Sequence, residues 1–63
     1  MRTIANYFEI NADLDLAVNI IRERIPCFVS TMPAEEDDGF LYVEIKCRAE
    51  DARFVEEKLA PFA

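Results

Sequence analysis

Thirteen carboxylates and no histidine set the terms on which this chain can do chemistry. Ser30 is the only serine, and without an imidazole nothing nearby in sequence is suited to take its proton. Paired carboxylates can act as acid and base, but one of them needs an apolar setting that raises its pKa. The densest acidic run, Glu35, Glu36, Asp37 and Asp38, falls instead in a polar loop. It also lacks the alternating ligand positions of an EF-hand calcium loop. Cys27 and Cys47 are too widely spaced for a CxxC redox motif, and two thiolates cannot close a four-ligand zinc site. The chain is therefore expected to be no enzyme and to hold no metal or cofactor, and to act by binding.

The elements that position these residues follow from periodicity. Residues 3–10 read as a strand with Ile4, Phe8 and Ile10 on one face, interrupted by Asn6, and Ala5, Tyr7 and Glu9 on the other. Asn11 or Asp13 then caps a helix. Leu14, Ala17, Val18, Ile21 and Ile25 form its apolar stripe, Asp13 and Asp15 lie in its first turn, Arg22 and Arg24 in its last, and Pro26 stops it. Residues 27–32 are β-prone and end at Pro33. Residues 34–39 form a loop with Asp38-Gly39 as a turn signal. Residues 40–48 alternate, with Leu41, Val43, Ile45 and Cys47 on one face and Phe40, Tyr42, Glu44, Lys46 and Arg48 on the other. A second helix over 49–60 buries Ala52, Val55 and Leu59, and Phe62 extends that side past Pro61.

With 52% hydrophobic residues among 63, the chain has enough apolar content for one small core, residues 1–63 forming a single α/β domain. It has neither the apolar core of a secretory signal nor a run approaching a membrane span, so a cytoplasmic protein is expected. The order β-α-β-β-α makes the first two strands parallel through a right-handed crossover and the third antiparallel to both. The expected fold is α+β: a three-stranded sheet in the order 1-3-2 with two helices on one face. In element order it resembles the ferredoxin-like pattern without its last strand. Cys27 and Cys47 then become cross-strand neighbours, expected to pack as reduced thiols, with a disulfide as the alternative.

This topology sorts the charges. Glu9, Asp13, Asp15, Glu35, Glu36, Asp37, Asp38, Glu56 and Glu57, nine of the thirteen acids, are expected at one end, opposed only by Lys58. Arg2, Arg22, Arg24, Lys46, Arg48 and Arg53 gather at the other, diluted by Glu23, Glu50 and Asp51. A negative end on a chain of net charge −6 repels nucleic acid and attracts basic surfaces. Proteins carry such surfaces chiefly where they grip phosphate backbones. Tyr7, Phe40 and Tyr42 fall on the uncovered sheet face and form a secondary partner surface, since aromatic residues are enriched at interfaces. RNA stacking on these rings is disfavoured by the charge and by the lack of a basic-aromatic run.

In small size, acidity and want of catalytic apparatus, the chain resembles the phage-encoded inhibitors of host defence nucleases, among them the anti-CRISPR proteins, several of which occupy a DNA-binding groove as acidic mimics. The resemblance is to a class and transfers no residue. It implies a cytoplasmic inhibitor that binds the nucleic-acid-binding surface of a larger protein such as a CRISPR-Cas or defence nuclease complex, as a DNA mimic. The alternative is a regulatory or dimerising interaction module resembling the ACT group of ferredoxin-like domains.

Overall fold

The computed structural model describes residues 1–36 and 38–63. Its elements are β1 (Arg2–Glu9), α1 (Ala12–Arg24), β2 (Cys27–Pro33), β3 (Phe40–Cys47) and α2 (Ala52–Leu59). The expected helix over 49–60 is a composite, because single 3-10 turns at Ala49–Asp51 and Ala60–Phe62 flank α2. β3 lies between β1 and β2 and is antiparallel to both, giving the expected order 1-3-2. β2 extends to Pro33, which an edge strand tolerates because it has no ladder partner on its outer side.

Local chemistry sets the limits of α1. Asn11 has an extended backbone, and its side-chain oxygen accepts from the Asp13 N–H at 2.8 Å, so Asn11 rather than Asp13 is the N-cap. At the other end the N–H of Ile25 still bonds to the carbonyl of Ile21, but Ile25 itself is extended. Pro26 imposes that conformation, since a residue preceding proline is disfavoured in the α region.

One core lies between the helices and the sheet. Phe8, Leu14, Val18, Ile21, Val43, Ile45, Cys47, Ala52, Val55 and Leu59 are buried together, and Ile4, Ile25, Leu41, Phe54 and Phe62 pack around them. The central strand supplies three of these residues, because only β3 has a neighbour on each side. Ile10, expected on the buried face of the first strand, is exposed: β1 ends at Glu9, and Ile10 has left the alternating ladder. No helix among the described residues is long and apolar enough to cross a membrane.

Candidate functional site

The exit of β1 is fastened to the β2–β3 turn. The Ile10 N–H donates to the Gly39 carbonyl at 2.9 Å, and across the turn the Ala34 N–H donates to the Phe40 carbonyl at 3.1 Å. Asn11 follows directly and starts α1, so Glu9, Asp13 and Asp15 come to the end of the sheet that carries Glu35, Glu36 and Asp38. Asp37, expected in the same cluster, lies outside the described residues. The second helix returns along the sheet from the far end of β3 and brings Glu56 and Glu57 back in this direction.

Ion pairing divides the acids into two groups. Glu44 pairs with Lys46 at 3.8 Å, and Arg48 reaches Glu50 at 3.4 Å and Asp51 at 3.0 Å. The Asp51 hydrogen bond pushes the Arg48 guanidinium still further towards its charged form. Glu57 pairs with Arg53 one helical turn earlier at 3.2 Å, so Lys58 is not the only cation among the acids of this end. Lys58 lies over the Phe54 ring, 5.6 Å from its centre. Among the described residues Glu9, Asp13, Asp15, Glu35, Glu36, Asp38 and Glu56 make no ion pair. Glu23 makes none either, but it sits between Arg22 and Arg24 at the opposite end of α1. The uncompensated carboxylates are thus concentrated at the turn end.

The uncovered sheet face meets this end. Register places Tyr7, Tyr42 and Met32 in one row across the three strands, with Phe40 in the next row towards the turn. The Tyr7 and Tyr42 rings are 5.1 Å apart and tilted by 53°, a favourable aromatic arrangement. The Tyr42 hydroxyl donates to Glu44 Oε2 at 3.1 Å. That hydrogen bond, with a contribution from partial burial, pushes the phenol above its ordinary pKa. Pro33 and Ala34 lead from this floor to Glu35 and Glu36, and the eight residues line an open basin of about 580 Å³. The acidic loop and the aromatic face therefore meet at Glu35 and Glu36. Asp13, Asp15, Glu56 and Glu57 do not line the basin.

Met32 is the member that sequence reasoning missed. Alternation along β2 from Phe28 through Ser30 puts it on the open face, but only the register of the hairpin sets it beside Tyr42.

Ser30 lies opposite Glu44 on the open face, but that carboxylate is engaged by Tyr42 and Lys46. Among the described residues no three His, Cys, Asp or Glu side chains are grouped to hold a metal ion. No family model, curated protein or solved structure matches the chain.

Proposed function

We propose that the chain is a non-enzymatic inhibitor that sets its acidic end against the basic, nucleic-acid-binding surface of a larger protein, in the manner of the DNA-mimicking inhibitors of defence nucleases. The observation that carries this reading is the concentration of carboxylates that make no ion pair among the described residues at the turn end, where only Glu57 is paired, with Arg53, while Glu44, Glu50 and Asp51 elsewhere pair with Lys46 and Arg48. Uncompensated charge of one sign on one end raises the local field and speeds encounter with a surface of the opposite sign. A surface built to neutralise phosphates carries the Lys and Arg side chains that such a field attracts.

Competition tests this. The chain is titrated into a complex of a candidate nuclease and labelled DNA, and displacement is followed by anisotropy. Wild type should release the DNA, and a variant with Glu35, Glu36, Asp37 and Asp38 changed to Lys should not. Equal displacement by both would refute the proposal.

A second reading, a module that pairs through its sheet, is favoured by the side chains left uncovered on the open face. Phe28 is 70% exposed and Tyr7 59%. A dimer mass by sedimentation, lost in Phe28→Ser, would favour that reading over the first.

A further inference from the structure

The basin beside the acidic turn combines features that single out one kind of side chain. Its floor is the tilted Tyr7–Tyr42 pair with Phe40, its wall is Met32 and Pro33, and its rim carries Glu35 and Glu36. We propose that this basin seats an arginine side chain presented by the protein partner. The assignment rests on the reading of the acidic end as a protein-docking surface and names what that surface grips.

Charge complementarity and shape carry the argument together. A long side chain with an apolar stem and a cationic head matches a floor of rings and a wall of Met32 and Pro33 that end at two carboxylates. Cations are attracted to the faces of aromatic rings, and guanidinium more often than ammonium. Guanidinium is also planar, so it stacks on a ring while its fork of donors reaches carboxylate oxygens, which a lysine ammonium cannot do at once. The floor is set before binding, because Tyr42 is held by Tyr7 on one side and by its hydrogen bond to Glu44 on the other. Glu44 is itself countered by Lys46, whereas Glu35 and Glu36 make no ion pair among the described residues. The charge at the rim is therefore free for an incoming cation. A second copy of the chain would instead bring another net charge of −6 towards this rim.

The test is an NMR titration of the intact chain with a hexa-arginine peptide and, separately, a hexa-lysine peptide of equal charge. Hexa-arginine should move the ring resonances of Tyr7, Phe40 and Tyr42 and the amides of Glu35 and Glu36, and should bind at least about five-fold more tightly than hexa-lysine. Tyr7→Leu, at an exposed position, should erase most of that preference, and the double change E35Q and E36Q should weaken both peptides. Dispersed amide spectra establish that the variants are folded. Equal binding of the two peptides, with Tyr7→Leu without effect and the turn acids still required, overturns the arginine seat and leaves the acidic-end reading standing. No binding of either peptide at low salt sinks both. A dimer mass with the three rings already covered by a second copy also overturns the seat.

Discussion

Cys27 and Cys47 stand directly opposite each other across the β2–β3 ladder, on the side of the sheet that the helices cover. Their surroundings differ. Cys47 is on the central strand and buried, whereas Cys27 is on the edge strand and half-buried; both lie along a cleft of about 300 Å³ with Phe28, Lys46 and Arg48. Burial pushes the Cys47 thiol above its ordinary pKa, and the negative charge of Asp51 and the neighbouring Cys27 add to this.

Reactivity should follow that difference, because a thiol reacts as its thiolate and only where reagent can reach it. Iodoacetamide at neutral pH should label one residue of the native chain, Cys27, and both in denaturant. Peptide mapping would read this directly. Labelling of Cys47 at a similar rate would show that the core at the end of β3 opens readily. An intact mass two hydrogens short would show the pair oxidised instead.

The same burial makes stability depend on pH in a definite direction. A thiol whose folded pKa lies above its unfolded value keeps its proton longer in the native state. Its contribution is fully present below the unfolded pKa and is lost as pH rises through the folded one. Wild type should therefore lose stability as pH climbs from about 8 through the thiol range. Cys47→Ala should show a shallower decline over the same range, measured by denaturant midpoints at each pH. Tyr42, whose phenol is also raised, should add a further loss nearer its own range, and Tyr42→Phe should remove it.

Core packing gives the largest expected effect. Ile21 is fully buried between α1 and the sheet, and truncation of such a residue to Ala costs about 2–5 kcal/mol. Domains of this size hold only roughly 3–5 kcal/mol in all. Ile21→Ala should thus unfold the chain or bring it close to unfolding at room temperature. Leu16, on the same helix but 60% exposed, should change stability by no more than about 0.5 kcal/mol when cut to Ala. Thermal melts by circular dichroism compare the two, and equal melting temperatures would refute the placement of α1.

Periodicity alone made most of this fold legible. The α1 stripe and the β3 alternation selected Leu14, Val18, Ile21, Val43 and Ile45, all now buried, because one-face patterns at 3.6 and 2.0 residues survive packing. What failed depended on contacts distant in sequence. Ile10 was in phase with Phe8, yet its N–H is drawn to Gly39 to start the turn into α1. Arg53 belonged by topology to the basic end, but it reaches Glu57 along the helix. The basin was the least legible part. Tyr7, Phe40 and Tyr42 could be assigned to a face, but their meeting with Met32 and Glu35 follows from where the hairpin turns, and a loop leaves that register open.

The N-cap offers a change near the acidic end that leaves its charge alone. Asn11→Ala removes the acceptor for the Asp13 N–H and should lower stability by about 1 kcal/mol. It should not alter the salt dependence of partner binding, since no carboxylate is lost. A denaturant melt checks the first part. A changed salt slope in a variant that is still folded would show that α1 orientation, and not charge alone, sets the docking surface.

Reversal of the turn charges separates steering from folding. Glu35, Glu36 and Asp38 are exposed, and Glu35, Glu36 and Asp38 make no ion pair among the described residues. Changing them to Lys together with Asp37 should therefore leave the melting temperature close to that of wild type, as for surface substitutions generally. Association should respond strongly. Steered encounter depends on the summed field and falls towards about 10⁵–10⁶ M⁻¹s⁻¹ without it. At low salt the variant should associate far more slowly than wild type, and the gap should close as salt rises and the field is screened over about 10 Å. Reversing Arg22 and Arg24, at the far end of α1, should leave the rate largely unchanged. Stopped-flow measurements across a salt series compare all three proteins. A rate that rises when Arg22 and Arg24 are reversed, as strongly per unit charge as it falls for the turn reversal, would mean that net charge governs encounter, and not the placement of carboxylates around the turn.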